Sequence, residues 1–410
     1  MEESSAPKTT VYYKFLFTMF GLVSLLAWNA ILSKLFFFSI HVGGMNPSVS
    51  FSFLNNALNI TLQFILLWKK NLFSVKGRLI WGLILSTIFL VLVPGCCIML
   101  EANSIQNYIV TGGFILIFGL INAILSGGFY ALISFFPGEM IIAFSTGQGF
   151  SGILMNAIEY LVLIFVHDVD VGAWIFFATS ALIIIIVLIL LLSAYKSEFF
   201  KYYLKPLIES ENKKEALVKD SKEYELEQME IEEPTKKEAS FMDMFKLLYD
   251  LQLLICFLYI VTFALYPGVC LMQNFYGMKI FGINTILSIY NIFDTIGRSL
   301  VSKVKPTKKL SYVVILGRGL LLFTLIFNYA LDKRFNFSMN ITSTLLVINV
   351  AILALTNGIG TSLCCGLAPS LVKDELKGQA GSSMSFFLIL GIFIGSCFAF
   401  LSRKIMDIIG

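Results

Sequence analysis

The chain has 410 residues, of which 57% are hydrophobic and only 14% are charged, and its formal net charge at pH 7 is +4. Soluble domains carry about a quarter charged residues, so this composition excludes an ordinary soluble protein and indicates a polytopic membrane protein. Its apolar runs are long enough for transmembrane helices, so we expect an all-α fold.

Eleven apolar runs are long enough to span a bilayer, which takes about 20 helical residues. They cover residues 12–36, 51–68, 79–99, 108–136, 140–166, 171–195, 251–277, 282–302, 311–331, 341–370 and 381–402. A charged stretch separates the first six runs from the last five, a division typical of two-bundle transporters. We interpret residues 1–195 as a six-helix bundle, 196–250 as a partly disordered cytoplasmic linker, and 251–410 as a five-helix bundle.

The basic residues predict an orientation in the membrane. With a cytoplasmic N-terminus, 22 Lys and Arg residues fall on the cytoplasmic side and 6 on the opposite side. The positive-inside rule therefore predicts a cytoplasmic N-terminus and an extracytoplasmic C-terminus. Two glycosylation sequons, at Asn336 and Asn340, fall in a predicted outer loop, in agreement with this orientation.

The predicted linker carries ten lysines and fourteen acidic residues. Its mixed charge and low hydrophobicity are typical of a solvated connector. A regulatory or partner-binding segment would have the same composition, and the sequence does not separate the two interpretations.

Polar residues inside the first two spans are the first candidates for a substrate site. Trp28 with Asn29 suits stacking on a flat ring, although an interfacial aromatic belt has the same composition. Asn56, Asn59 and Gln63 share one face of the second predicted helix. That face either lines a cavity or makes interhelical hydrogen bonds.

The fourth and fifth spans are rich in glycine, which allows helices to approach closely. Asn122 and Ser126 lie four residues apart on one face of the fourth span. Glu159 is the lone acidic residue within the fifth span. Such an acid is either a proton-coupling site or a carboxyl group beside a water-filled vestibule.

The eighth span contains Asp294 and Arg298, whose spacing places them on one helix face within contact distance. Each charge alone in hydrocarbon would cost at least ~2.5–3.5 kcal/mol, and pairing lowers that cost. The pair is either a structural ion pair or a polar clamp for a hydroxylated substrate. A carboxylate accepts hydrogen bonds from hydroxyl groups, and a guanidinium donates several.

Four segments together resemble the equilibrative nucleoside transporter family: "WN" at 28–29, "FFPGEMIIAFSTGQGFSGI" at 135–153, "YNIFDTIGRSL" at 290–300, and "TNGIGTSLCCGLAPSLVKDE" with "AGSSMSFFLILGIFIGS" at 356–396. The third is the most specific, because the family's eighth helix carries the pattern formed here by Asn291, Asp294, Gly297 and Arg298. The resemblance implies a major-facilitator-like fold of six and five helices, one central site and alternating access.

The same resemblance implies roles for individual residues. Asp294 and Arg298 correspond to residues that contact ribose hydroxyls in the family, and Trp28 to one that lines the same cavity. The chain departs from the family at Ser126, because relatives often carry there a glutamine that hydrogen-bonds the base. Asn122 lies one turn earlier, and Gln63 on the second span is a candidate to compensate.

We therefore expect a facilitative nucleoside transporter that favours purines, acts as a monomer in the plasma membrane, and needs no catalytic residue, metal, cofactor or nucleic acid partner. A nucleobase carrier and a proton-coupled carrier using Glu159 are alternatives. An intramembrane aspartyl protease would need two buried aspartates, and Asp294 is the only aspartate well inside a span. A scaffold without transport activity would bind a defined partner and show no saturable uptake.

Overall fold

The computed structural model describes residues 7–69, 73–208, 241–273, 275–276, 280–304, 306–333, 335 and 337–409. In these ranges the regular structure is helical throughout. The α-helices are α1 (Val11–Ser33), α2 (Leu35–Val42), α3 (Pro47–Trp68), α4 (Val75–Ile98), α5 (Ile105–Ile133), α6 (Gly138–Phe165), α7 (Val169–Ala194), α8 (198–208), α9 (Phe241–Leu265), α10 (Gly268–Met272), α11 (Ile280–Leu300), α12 (Lys308–Gly317), α13 (Leu320–Lys333), α14 (Met339–Leu367) and α15 (Lys377–Ile409).

Ten helical segments of the described chain are long and apolar enough to cross a membrane. They confirm an all-α, multi-pass membrane protein. The helix α11 is not one of the ten; it has 21 residues and carries Asp294 and Arg298. It coincides with the predicted span at 282–302, so the eleventh span stays a prediction, as does the orientation of the termini.

Several predicted spans are interrupted where the local sequence disfavours a continuous helix. The first ends at Ser33, and Lys34 separates it from α2. The span predicted at 311–331 consists of α12 and α13, which are separated at Arg318 between two glycines. Glycine is unfavourable inside a helix by about 1 kcal/mol relative to alanine, so this sequence favours a break.

The helices α1–α7 are called here the N-terminal half, and α9–α15 the C-terminal half. Glycines bring helices of the N-terminal half into backbone contact. A Cβ atom on Gly21 of α1 would clash with the carbonyl of Phe144 on α6, and one on Gly119 of α5 with the carbonyl of Asn55 on α3. The prediction that glycines of the fourth span allow close helix packing is confirmed at Gly119.

The two halves meet along α15, which lies against α3 and α5. Phe53 of α3 stacks on Phe393 of α15 with ring centroids 5.5 Å apart. Where α5 ends and α15 begins, the Phe135 ring lies against Gly378. We call this end of the molecule, at which α7 also ends and α9 begins, the linker end. The halves are in contact at this end, and also toward the opposite end, where Phe53 lies against Phe400 of α15.

The beginning of the predicted linker is folded onto the N-terminal half. Phe199 and Phe200 of α8 are fully buried, and Phe199 stacks on Tyr13 with centroids 3.9 Å apart. Both rings also pack on Phe136. Residues 241–250 belong to α9. The remainder of the predicted linker, 209–240, lies outside the described residues, as does the sequon residue Asn336.

Candidate functional site

Asp294 and Arg298 form an ion pair on α11. The Arg298 Nε donates to Asp294 Oδ2 at 2.7 Å, and both residues are at least 95% buried. The contact that the four-residue spacing predicts is therefore confirmed. A buried pair of this kind is stable only when further hydrogen bonds satisfy its remaining donors and acceptors.

The remaining donors of Arg298 cross from the C-terminal half to α6 of the N-terminal half. Its Nη1 donates to Ser145 Oγ at 3.2 Å and to Gln148 Oε1 at 3.0 Å. Gln148 in turn donates to Ser24 on α1. Ser145 Oγ is 2.6 Å from Ser362 Oγ on α14. The ion pair therefore lies at the boundary between the halves and is hydrogen-bonded to both.

The second oxygen of Asp294 has its own partner within the C-terminal half. Asn357 Nδ2 on α14 donates to Asp294 Oδ1 at 2.8 Å. The carbonyl oxygen of the same amide accepts from Thr262 Oγ1 at 2.8 Å and from Arg318 Nη1 at 3.4 Å. Asp294 is thus held by side chains from two directions.

Close packing of α6 on α11 places these groups together. Added Cβ atoms on Gly149 and Gly152 would clash with Thr295 and with the side chain of Asn291, respectively. Asn291, a predicted site residue, thus lies at the α6–α11 contact, one helical turn from Asp294. Small residues at such crossings allow two helices to approach within backbone contact.

Trp28 lies on α1, one turn after Ser24, and is partly buried. Ser24 accepts a hydrogen bond from Gln148, which also contacts Arg298. Residues four apart share a helix face, so Trp28 lies on the side of α1 that faces the ion pair.

Gln63, Ser126 and Asn122, the residues predicted to read the base, come together between α3 and α5. Gln63 Nε2 donates to Ser126 Oγ and to Asn59 Oδ1, each at 3.0 Å. Asn122 Nδ2 donates to Asn55 Oδ1 at 2.9 Å. Interhelical hydrogen bonds, one of the two interpretations of this face, are confirmed. Within the described residues, no hydrogen bond connects this cluster directly to Asp294 or Arg298.

Glu159 is not an isolated acid. Its carboxylate is 2.7 Å from Lys34 Nζ, and both side chains are buried. Beside this pair, Ser33 donates to Asn156, and Asn156 donates to Ser288 on α11. Lys34, which the charge count places on the extracytoplasmic side, lies buried at the junction of α1 and α2.

Several residues of this constellation were not predicted, among them Ser145, Gln148, Asn357 and Arg318. Ser145 is one helical turn before Gln148 in the segment "FSTGQG", and that spacing on one face was the available signal. Arg318 was a further charge inside a predicted span, which by default indicates a functional group with a partner. Its partner could not be identified, because Asn357 lies on another helix.

Comparisons with known proteins identify the family and agree with the fold. A family model described as "Nucleoside transporter" matches residues 113–404. Human equilibrative nucleoside transporter 1 is 22% identical over 88% of this chain and 81% of its own length. Rat equilibrative nucleoside transporter 2 is 24% identical over 99% of this chain and its whole length. Equilibrative nucleotide transporter 4 of Arabidopsis thaliana is 23% identical over 92% of this chain and 90% of its own.

Among solved structures, the proton:xylose symporter XylE bound to 6-bromo-6-deoxy-D-glucose, described as a major facilitator superfamily protein, superposes with a TM-score of 0.62. It is 14% identical, and the match covers 96% of this chain and 94% of XylE. The superfamily transporter FucP in an outward conformation has a TM-score of 0.55 at 16% identity, over 97% of this chain and 98% of FucP.

Proposed function

The chain belongs to the nucleoside transporter family and has the major facilitator fold, and from this premise we propose that it carries nucleosides across its membrane by facilitative alternating access. The substrate occupies the boundary between the N-terminal and C-terminal halves. The halves then rock about this site, so that it opens to one side of the membrane at a time.

The observation that carries this proposal is the buried Asp294–Arg298 pair at the boundary of the halves. Each carboxylate oxygen of Asp294 has one hydrogen-bond partner among the described residues. A carboxylate can accept about four hydrogen bonds, so acceptors remain for the two vicinal hydroxyls of a ribose. Among the described residues, Arg298 Nη2 has no partner, and it can donate to substrate oxygens.

We propose that the base is held by the N-terminal half. Trp28 offers an aromatic ring one helical turn after Ser24, and base–aromatic stacking is worth about 1–3 kcal/mol per base. Both Nε2 hydrogens of Gln63 are committed to Ser126 and Asn59, but its Oε1 has no partner among the described residues. That oxygen can accept a hydrogen bond from the amino group of adenine, which we propose as the basis of a preference for purine nucleosides.

Replacing Gln63 tests this assignment of base recognition. We expect Gln63→Ala to reduce the preference for adenosine over uridine, because the amide held by Ser126 and Asn59 is lost. Thr61→Ala is the matched control: Thr61 is exposed on the same helix and bonds only to its own backbone at Ala57. Competition of unlabelled adenosine and uridine with labelled substrate measures the preference of each variant. An unchanged ratio in Gln63→Ala would remove Gln63 from the site.

Uptake of labelled adenosine by liposomes containing the purified protein tests the function itself. Saturable uptake that inosine inhibits strongly and adenine weakly is the expected result. Equal inhibition by adenine would indicate a nucleobase carrier. Absence of saturable uptake by folded protein would contradict the proposal.

In the proton-coupled alternative, Glu159 would be the coupling residue, and its carboxylate is paired with Lys34. Uptake that is insensitive to a protonophore would exclude the coupled alternative.

We further propose eleven spans with a cytoplasmic N-terminus, supported by the distribution of basic residues, and a monomer located in the plasma membrane.

A further inference from the structure

Arg318 is a buried cation without an acidic partner among the described residues. It is 2% exposed and lies at the break between α12 and α13. Its Nη2 donates to Thr262 Oγ1 at 2.8 Å and to the Leu353 carbonyl at 3.2 Å, and its Nη1 donates to Asn357 Oδ1. An unpaired guanidinium at membrane depth is costly, and such residues by default have a functional role.

The contacts of Arg318 determine how the Asn357 amide is oriented. A guanidinium can only donate hydrogen bonds, so the group that faces it must be the amide oxygen. The Thr262 hydroxyl, which is 2.8 Å from the same oxygen, can donate to it as well. With its oxygen held on this side, the amide turns its N–H₂ group toward Asp294 Oδ1, 2.8 Å away. The reversed amide would bring its oxygen against the carboxylate.

The Asn357 hydrogen bond fixes the Asp294 carboxylate at one end, while Arg298 fixes it at the other. With one lone pair of each oxygen committed to a protein donor, the remaining lone pairs have defined directions. Binding groups must be held by a supporting shell in this way to keep their geometry. The supporting residues lie on α9, α14 and the α12–α13 break, so they belong wholly to the C-terminal half.

We propose that Arg318 and Asn357 are positioning residues for nucleoside recognition: together they orient Asp294 so that its free lone pairs meet the ribose hydroxyls. This inference rests on the proposed function. The same role explains why Arg318 is buried behind the site: its charge and donors orient the Asn357 amide, and that amide orients Asp294. Neither residue needs to contact the substrate.

The test compares uptake of adenosine with that of 2′,3′-dideoxyadenosine, which lacks both hydroxyls, in liposomes containing each variant. Asn357→Ala removes the donor to Asp294 without adding charge beside its carboxylate. We expect its KM for adenosine to rise about tenfold and its KM for dideoxyadenosine to stay within about twofold, as for loss of one hydrogen bond to a charged group. Asn357→Leu removes the same donor without adding charge and gives the same selective loss.

Asn349→Leu is the matched control. Asn349 is a buried amide two turns earlier on α14, where it accepts from Thr324 at 2.7 Å. Its loss affects helix packing only, so the ratio of the two KM values stays that of the wild type. A merely structural role of Asn357 would lower the uptake of both substrates together.

The outcomes separate the two proposals. If folded wild-type protein takes up neither compound, the proposed function is wrong and this inference falls with it. If the wild type takes up adenosine but both Asn357 variants change the two KM values equally, or change neither, the positioning role alone is wrong.

Discussion

At the scale of single residues, buried charges in the described chain are compensated in two places. Asp294 pairs with Arg298 at the boundary of the halves, and Lys34 pairs with Glu159 inside the N-terminal half. Both pairs are nearly sealed from solvent. Their desolvation is offset only by close geometry and additional hydrogen bonds. The first pair has additional hydrogen bonds across the boundary of the halves, which supports the proposal that the substrate binds there.

The Lys34–Glu159 pair makes a prediction about stability. Removing one partner of a buried pair leaves an uncompensated charge and costs about 3–5 kcal/mol, whereas replacing both with apolar groups is often neutral. We therefore expect Glu159→Gln to lower the thermal unfolding midpoint of the detergent-purified protein strongly. Lys34→Met combined with Glu159→Leu is expected to restore most of it. A double variant less stable than Glu159→Gln would contradict this account.

The residue scale also shows what the sequence could predict. The Asp294–Arg298 contact lies within one helical turn, so spacing alone predicts it. The partners of Glu159 and Arg318 lie on other helices, and only the packing of those helices brings them together. The pairing of Lys34 could not be predicted for the same reason: a basic residue near the end of an apolar run is normally solvated, and nothing local indicates the acid on α6 that pairs with it.

At the scale of elements, the contact between α6 and α11 positions the site. Gly149 and Gly152 present a face without side chains, and Thr295 and Asn291 of α11 fill it. This close approach brings Ser145 and Gln148 within hydrogen-bonding distance of Arg298. The glycine-rich sequence predicted close packing, but not that the partner would be the helix carrying the ion pair.

Enlarging Gly152 tests the importance of this contact. An added methyl group would clash with the Asn291 side chain, and overpacking of this kind costs about 1–3 kcal/mol. We expect Gly152→Ala to reduce nucleoside uptake severely. Gly113→Ala is the control, since its Cβ would meet no atom within 4 Å. The measurement is nucleoside uptake normalised to the amount of folded protein. Equal uptake by the two variants would show that the α6–α11 distance is not critical.

At the scale of the whole molecule, the two halves are in contact at the linker end, where Phe135 lies against Gly378. Alternating access requires this contact to open once per cycle. The division into helices before and after a charged linker could be predicted from the sequence, because the length of an apolar run indicates a membrane span directly. Which helices of the two halves are in contact could not be predicted from the sequence, because these contacts depend on tertiary packing.

Cross-linking the linker end tests whether it opens. We expect a short bifunctional thiol reagent to block uptake by the Phe135→Cys/Gly378→Cys variant, in proportion to the fraction cross-linked. Each single-cysteine variant, which retains the seven native cysteines, controls for modification elsewhere. Full uptake by cross-linked protein would mean that the halves do not separate at this contact.

The central claim is that Asp294 binds the ribose of a nucleoside, and its most direct test is adenosine uptake by liposomes containing the wild type or Asp294→Asn. The variant keeps the side-chain size but loses the charge and two acceptor sites, so hydroxyl recognition weakens. The account predicts at least about a tenfold loss of kcat/KM, equivalent to one charged hydrogen bond or more, in protein that remains folded. Wild-type uptake by well-folded Asp294→Asn protein would contradict it.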